Sequence, residues 1–265
     1  MKKTSVLSFV SVTGARKSTA ERYLRDSGNN LQRAINQYYM ENSNQQEENN
    51  SININDETSR TLNSLFNKYM DPTDNTITDI DGTIKYLEDM KIAPDELDSL
   101  TLLYFLKSKS MGIFLRQEFV SAWRKASISS IESMAPYIRL MTSGLLSRDP
   151  EFDLLYKFTY GFLLEQDGQK LLPYDLCIDY WRLLLIEGKY KGNASLVKRL
   201  DQWCVFIETE QQRGISRDTW DMFILFIREI ILPDPEEMKE YDDMAAWPSV
   251  IDEYIQYLRE NKLMV

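Results

Sequence analysis

The side chains best suited to covalent chemistry are two cysteines, Cys177 and Cys204, in a chain of 265 residues that contains no histidine. Without histidine, no imidazole can activate a serine or cysteine nucleophile, and histidine-ligated metal sites are excluded. Two cysteines are also too few for a cysteine-rich zinc site. Each cysteine has apolar neighbours, which raise the pKa of a thiol and bury its sulfur. The sequence therefore predicts core cysteines and no catalytic residue, metal or cofactor.

A second candidate for chemistry is the acidic loop from Asp71 to Gly82, which begins like a calcium-binding EF-hand loop. Such a loop requires glycine at its sixth position and a bidentate glutamate at its twelfth. This chain has Thr76 and Gly82 at those positions. We therefore expect the loop to join two helices without binding calcium.

The most specific pattern is a C-terminal block, YDDMAAWPSVIDEY, at residues 241–254. Residues 234–265 carry nine acidic and three basic side chains. Pro248 suits the start of a helix, and Trp247 and Ile251 are spaced to contribute to its buried face. Asp252 then points away from that face. Two interpretations remain open, a solvated acidic helix end or a contact surface for a partner.

The elements that position these residues are predicted to be helices. Glycine and proline are scarce, at 10 and 8 residues, and helical periodicity continues to the C-terminus with little strand signal. One apolar stripe consists of Leu62, Leu65, Phe66 and Tyr69. Gly144, Gly188 and Gly214 each follow a helical run and are predicted to end it. We expect one large all-α domain over residues 56–265.

The composition changes abruptly at residues 42–55, where six of 14 residues are asparagine and aromatic residues are absent. Such a segment cannot offset its ordering entropy by burial, so we predict a disordered linker. It separates a small module, residues 1–41, from the larger domain. The module carries seven basic and three acidic residues, whereas the whole chain has a formal net charge of −10. The two parts therefore have opposite electrostatic character.

The N-terminal module is predicted to be a bundle of three short helices. Ser18 and Glu21 form a capping box for the second helix, and Asn30 caps the third. The module resembles ubiquitin-associated (UBA) domains at Phe9, Thr13, Ala20, Leu24, Leu31, Ala34, Ile35 and Tyr38. Its first loop has Thr13-Gly14-Ala15 where the family often has Met-Gly-Phe or Met-Gly-Tyr. The resemblance implies a UBA-like fold and leaves open whether it binds ubiquitin or a ubiquitin-like modifier.

The C-terminal block resembles the signature of the defective-in-cullin-neddylation proteins, which carry a DCUN (potentiating-neddylation) domain. Further blocks match the family in the same order along the chain within residues 60–258. They are residues 69–74, 80–82, 116–119, 180–181 and 215–220. The resemblance implies a domain of two EF-hand-like halves without calcium, preceded by a UBA-like module as in fungal members. It also implies a scaffold-type ligase component that promotes cullin neddylation without an active site of its own.

In this family an acidic surface with the pattern Asp-Ala-Asp holds the basic C-terminal winged-helix region of a cullin. The matching positions here are Asp218, Ala246 and Asp252, which we call the acidic patch. Ser216 is expected to cap the helix that carries Asp218. Asp218 also suits the positive end of that helix, a role worth only about 0.3–1 kcal/mol. Both roles can coexist.

The resemblance implies a second site, a hydrophobic pocket for the acetylated N-terminal methionine of the neddylation conjugating enzyme. The matching pocket positions are Ile80, Leu102, Leu103, Phe114, Phe162 and Leu183. Helical periodicity alone would assign these residues to an ordinary core. The alignment at residues 99–114 can slip by one position, and Met111 and Gly112 replace a polar residue and a cysteine of the relatives.

Composition also bears on partners and location. The acidic balance opposes sequence-independent nucleic-acid binding, which needs positive charge to displace counterions. No apolar run approaches the length of a membrane span, so we expect a protein of the nucleus and cytoplasm with no membrane partner. The alternative to a neddylation scaffold is a non-catalytic adaptor that binds ubiquitin.

Overall fold

The structure is a computed structural model that describes residues 5–6, 9–10, 17–31, 33–34, 57–108, 110–164 and 168–264. The chain divides into two compact units, residues 1–60 and 61–265. The predicted linker at 42–55 lies outside the described residues. Helices make up most of both described parts, so the all-α prediction is confirmed. Among the described helices, none has the length and apolar composition needed to cross a membrane.

The N-terminal unit contains helix α1, Lys17–Asp26, which ends close to the predicted Arg25. Ser18 lies inside this helix, so the prediction that Ser18 caps it is wrong. Residues 5–6, 9–10, 31 and 33–34 are also helical. Among the described residues of this unit, those buried in its core are Val6, Phe9, Ala20, Tyr23, Leu24 and Ala34. Asn30 acts as the predicted cap, because its Oδ1 accepts a hydrogen bond from Arg33 N at 3.0 Å. The UBA-matching positions 13, 35 and 38 and the loop at 13–15 lie outside the described residues.

The first half of the larger unit contains α2 (Glu57–Phe66, whose first turn falls in residues 57–60), α3 (Ile80–Met90), α4 (Leu97–Phe105) and α5 (Arg116–Lys125). Helix α3 begins where Asp79 Oδ1 accepts a hydrogen bond from Gly82 N at 2.6 Å. It ends at Lys91, which adopts the left-handed conformation with φ of 56°. The apolar stripe predicted from Leu62 to Tyr69 is buried.

The second half contains α6 (Ile131–Ser147), α7 (Asp149–Phe162), α8 (Tyr174–Trp181), α9 (Ala194–Phe206), α10 (Arg217–Phe226) and α11 (Ser249–Glu260). Three of these continue as π-helix, α8 into Arg182–Lys189, α9 into Ile207–Gln211 and α10 into Ile227–Ile231. The prediction that Gly144 and Gly188 end helices is wrong, because Gly144 lies inside α6 and Gly188 inside the π-helix after α8.

Short antiparallel pairs join loops within each half. Ile77 pairs with Leu115 in the first half. In the second half, strand β1 (Leu171–Leu172) pairs with strand β2 (Ile215–Ser216). In each pair both paired segments lie shortly before a helix. That the two halves are EF-hand-like stays a prediction.

The core of the larger unit is centred on stacked aromatic rings. Trp181 stacks on Trp220 with ring centroids 5.3 Å apart, and Trp203 stacks on Phe223 at 4.1 Å. The Tyr156 hydroxyl accepts a hydrogen bond from Trp181 Nε1 at 2.9 Å and donates one to Trp220 O at 3.0 Å. Because these residues come from α7, α8, α9 and α10, they fix the helices that carry the candidate sites.

Candidate functional site

The C-terminal block folds as its pattern predicted. Pro248 directly precedes α11, and Ile251 is fully buried. Trp247 packs edge-on against Phe226, with ring centroids 5.6 Å apart. This contact ties the block to α10, which carries Asp218 in its first turn.

Asp252 is half-buried, so its carboxylate is less accessible to solvent than the sequence pattern predicted. It accepts a hydrogen bond from Tyr241 Oη at 2.5 Å. Burial, with the hydrogen bond and charge of Asp252, raises the pKa of Tyr241 far above its usual range. The phenol therefore remains a donor throughout physiological pH, and it fixes the direction of the carboxylate.

The loop before α11 is held by its own hydrogen bonds. Asp242 Oδ1 accepts a hydrogen bond from Met244 N at 2.9 Å, and Trp247 N donates one to Ala245 O at 2.9 Å. Met244 is 87% exposed, and Ala246 is exposed as well. Because Ala246 has only a methyl side chain, a partner can approach the backbone of this loop closely.

Asp218 is exposed in the first turn of α10. Ser216 caps the helix as predicted, since its Oγ accepts a hydrogen bond from Thr219 N at 3.1 Å. Burial raises the pKa of Asp221, one turn further along, and the charge of Asp218 adds to this effect. At 1.5 Å per residue, Asp218 lies about 12 Å along the helix axis from Phe226.

The acidic patch therefore has two parts in this structure. Ala246 and Asp252 lie on the segments anchored around Phe226, which contacts both Trp247 and Tyr241. Asp218 lies at the other end of the same helix. Tyr241 was not predicted as the partner of Asp252, because the two residues are 11 positions apart and no helical spacing connects them.

A cleft of about 560 Å³ lies between α4 and α8 with its π-helical continuation. This volume is within the range of small-molecule sites. The side chains that line it from the two helical walls are Ser99, Leu100, Leu103, Leu176, Asp179, Tyr180, Arg182, Leu183 and Glu187. On each wall most of these positions are three or four residues apart, as on one face of a helix. Met111 and the segment 94–96 complete the lining.

Gly188 allows the π-helical wall to pack closely against α4. A Cβ atom at this position would lie 2.9 Å from Leu97 Cδ1 and 3.0 Å from the backbone oxygen of Leu183, so a larger residue would displace the Leu97 side chain. Lys189 then fixes the end of this wall. Its Nζ lies 2.6 Å from Asp149 Oδ1 and donates a hydrogen bond to Leu146 O at 2.9 Å.

Three of the six predicted pocket residues lie in or beside this cleft. Leu103 and Leu183 line it. Ile80 is 59% exposed and lies against Gly112, because a Cβ at Gly112 would be 3.1 Å from Ile80 Cγ1. Met111, the neighbour of Gly112, lines the cleft. Ile80 therefore lies close to its edge.

The other three, Leu102, Phe114 and Phe162, are buried in the core. Phe162, for example, stacks on Phe158 with ring centroids 5.4 Å apart. A ligand would reach these side chains only if the surrounding helices moved apart. Leu100 faces the cleft instead of Leu102, and its three-residue spacing from Leu103 is the sequence signal that identifies it.

The rim of the cleft is acidic. Its exposed carboxylates belong to Asp95, Glu96, Asp179 and Glu187. Among the described lining residues the single cation is Arg182, and Arg182 Nη1 lies 2.6 Å from Asp201 Oδ1. Apolar walls below a carboxylate rim suit an apolar group attached to a basic segment.

The prediction of core cysteines is confirmed. Cys177 and Cys204 are both buried. Burial raises the pKa of the Cys204 thiol to about 12 and that of Cys177 further still. Because the thiolate is the nucleophilic form, neither sulfur is prepared for covalent chemistry.

The loop that begins like a calcium site is shaped by packing and its own hydrogen bonds. Asp71 Oδ1 accepts hydrogen bonds from Thr73 Oγ1 at 2.6 Å, from Thr73 N at 2.6 Å and from Asp74 N at 2.9 Å, and these bonds lower the pKa of Asp71. A Cβ at Gly82 would lie 2.0 Å from the backbone oxygen of Tyr69. The bidentate glutamate of a calcium loop therefore cannot occupy position 82. Within the described ranges, no three acidic, cysteine or histidine side chains are grouped to hold a metal ion.

Comparison with known proteins agrees with this architecture. A family model described as cullin binding matches residues 133–257, and one for a UBA-like domain matches residues 3–45. Fold and comparison thus define an all-α protein that joins a UBA-like module to a region of the type that the cullin-binding model describes.

The chain belongs to the family of defective in cullin neddylation proteins. It is 35% identical to Defective in cullin neddylation protein 1 of Candida albicans over 97% of both chains. The protein of that name from Yarrowia lipolytica is 39% identical over 74% of this chain and 77% of the relative. DCN1-like protein 3 of Drosophila melanogaster is 31% identical, with 77% and 58% covered. The resemblance found in the sequence is confirmed.

Proposed function

We propose that this protein promotes the neddylation of cullins by holding a cullin and the neddylation conjugating enzyme together as a non-covalent scaffold. One observation carries the proposal. The region matched by the cullin-binding model, residues 133–257, contains all three residues of the acidic patch. A relative named for a defect in cullin neddylation aligns with nearly the whole chain, which supports the same role.

The cullin is proposed to bind the acidic patch through its basic C-terminal winged-helix region. Asp218, Asp242 and Asp243 are exposed, and carboxylates of one sign attract a basic surface and accelerate its association. Ala246 lets that surface approach the loop backbone. Asp252, held by Tyr241, offers a carboxylate of fixed direction to a basic side chain.

The cleft between α4 and α8 is proposed to receive the acetylated N-terminal methionine of the conjugating enzyme. Leu100, Leu103 and Leu183 provide its apolar walls. A free N-terminal ammonium placed against them would lose its hydration without gaining a partner, which costs several kcal/mol. Acetylation removes that charge, while the acidic rim attracts basic residues that follow the methionine.

The rate gain is proposed to come from proximity. The thioester belongs to the conjugating enzyme and the acceptor lysine to the cullin, so transfer between them requires no side chain of this chain. Holding both partners together makes the transfer effectively unimolecular, an effect large enough to account for strong acceleration. The buried thiols agree with this role.

A second candidate function is a ubiquitin-binding adaptor without a role in transfer. The UBA-like match over residues 3–45 favours it. The two functions differ in what they predict for the rate of cullin modification. A scaffold accelerates it, and an adaptor leaves it unchanged.

The test is a reconstituted transfer reaction with purified charged conjugating enzyme and cullin. We expect the full chain to accelerate cullin modification, and Asp218→Lys and Leu183→Ala each to reduce the gain. Glu132→Lys is the matched control, because Glu132 is also an exposed acid in the first turn of a helix but lies outside the acidic patch. A rate that is the same with and without the protein would exclude the scaffold role and favour the adaptor.

A further inference from the structure

Arg199 is a fully buried cation at the centre of the C-terminal part of the fold. Its guanidinium donates hydrogen bonds to Pro235 O, to Glu236 O at 3.0 Å and to Leu263 O at 2.6 Å. It also donates to Gln202 Oε1 at 2.9 Å. The only carboxylate recorded near it among the described residues is that of Glu236, at 3.6 Å. Backbone oxygens thus satisfy most of this buried charge.

These backbone oxygens come from two separate segments. Pro235 and Glu236 lead into the loop that carries Ala246, whereas Leu263 follows α11, which carries Asp252. The two segments therefore meet at one side chain. Tyr254 of α11 adds a second attachment, because its buried hydroxyl donates to the backbone oxygen of Arg199 at 2.8 Å.

A buried ion is weak evidence for a contribution to stability. Removing a charge from water is expensive, and apolar residues of similar volume often replace buried ion networks without loss of stability. What an apolar side chain cannot do is bind carbonyl groups of two segments at once. The planar, forked guanidinium is suited to that task, and a lysine ammonium is not.

We propose that Arg199 is a positioning residue for the acidic patch, a proposal that rests on the proposed cullin-binding function. Arg199 binds backbone oxygens before the loop, at residues 235 and 236, and after α11, at residue 263. It thereby limits the conformations of the loop at 241–247 and fixes the loop relative to Asp252. A loop ordered in advance loses less entropy when a partner binds. Arg199 therefore raises cullin affinity without touching the cullin.

The test compares Arg199→Met with Lys198→Met in the full chain. Lys198 is the matched control, because its Nζ also lies near the Glu236 carboxylate, at 3.8 Å, but its side chain is largely exposed. In Arg199→Met we expect faster hydrogen exchange at the amides of Met244 and Trp247 and about a tenfold weaker affinity for the cullin winged-helix region. Binding of an acetylated peptide to the cleft should be unchanged, and Lys198→Met should resemble the wild type in all three measurements.

Unchanged exchange at these two amides in a folded Arg199→Met variant would overturn the proposal. A loss of affinity for the acetylated peptide as large as the loss for the cullin region would overturn it as well. If Arg199→Met does not fold, Arg199→Lys gives the same test, since it retains the charge without the fork. Asp218→Lys in the same titration separates two failures. If it also binds cullin normally, the cullin-binding assignment is wrong. If only Arg199→Met binds normally, the positioning role is wrong.

Discussion

Tyr241 donates a hydrogen bond to the Asp252 carboxylate at 2.5 Å and so joins the start of the C-terminal block to α11. The same tyrosine ring lies 6.4 Å from that of Phe226 on α10. One side chain thus connects the helix that carries Asp218 with the carboxylate of Asp252. The direction of that carboxylate is a property of the fold and not only of residue type.

Tyr241→Phe should therefore weaken cullin binding while leaving the net charge unchanged. The phenylalanine keeps the ring contact but loses the donor, so we expect about 1 kcal/mol lower unfolding free energy and about fivefold weaker cullin affinity. Chemical denaturation and calorimetric titration measure the two effects. Tyr257→Phe is the control, because Tyr257 lies on α11, as Asp252 does, but has no part in the acidic patch. Unchanged affinity in Tyr241→Phe would show that the orientation of Asp252 is unimportant.

Charge reversal should affect the two carboxylates of the acidic patch differently. Asp218→Lys should reduce cullin affinity about tenfold at low salt and flatten its salt dependence, with almost no change in melting temperature, because Asp218 is exposed. Asp252→Lys should have the same effect on binding and also lower stability, because Tyr241 loses its acceptor. Titrations at two salt concentrations and thermal melts measure these changes.

The control for charge reversal is Glu132→Lys, which also places a cation in the first turn of a helix. Its melting temperature should change as little as that of Asp218→Lys, because both changes oppose a helix dipole at an exposed position, where the effect is small. Its cullin affinity should not change. If all three variants bind cullin equally, the interaction depends on overall charge and not on the acidic patch.

The cleft should discriminate between acetylated and free N-termini. A peptide with the N-terminal sequence of the conjugating enzyme should bind about 100-fold more tightly when acetylated, a difference of about 2.7 kcal/mol. Leu100→Ala and Leu183→Ala should weaken binding of the acetylated peptide, which calorimetry or fluorescence polarisation can measure. Leu140→Ala is the control, because Leu140 is 74% exposed on α6 and does not line the cleft. Equal affinity for the two peptides would exclude this use of the cleft.

The cysteines should be dispensable for transfer. Replacing Cys177 and Cys204 together by alanine should keep the cullin-modification rate within about twofold at a temperature where the variant is folded. Both thiols of the native protein should resist alkylation at pH 8, because burial keeps their pKa values far above that pH. Mass spectrometry after alkylation with and without denaturant measures the protection. A rapidly labelled cysteine in the native protein would contradict it.

Local patterns were enough to predict several features of the sites. Ser216 caps α10 and Pro248 precedes α11 because each is fixed by neighbours within one helical turn. The buried position of Ile251 likewise follows from helical periodicity. These features depend on contacts between residues that are close in sequence, so one sequence is enough to predict them.

Features that depend on contacts between distant segments were not predicted. Gly144 and Gly188 looked like helix ends, but α6 continues past the first, and the second lies inside the π-helix after α8, where Leu97 of α4 packs against it. Leu102 was assigned to the pocket by alignment, whereas packing turns Leu100 towards the cleft. Arg199 gave no sequence signal, because its partners lie 36 and 64 positions away.

Removal of residues 1–55 should leave the transfer activity of the remainder largely intact. The fragment 56–265 keeps helix α2 whole and contains both proposed partner sites, and about 210 residues are enough to bury a core of their own. The UBA-like module would then change only the effective concentration of a partner, by holding that partner near the larger domain. The measurement is the rate of cullin modification by the fragment and by the full chain at matched concentration and salt, with a thermal melt as the control for folding. If the fragment is folded but at least about tenfold slower, the N-terminal module contributes directly to the transfer complex, and the adaptor function gains support.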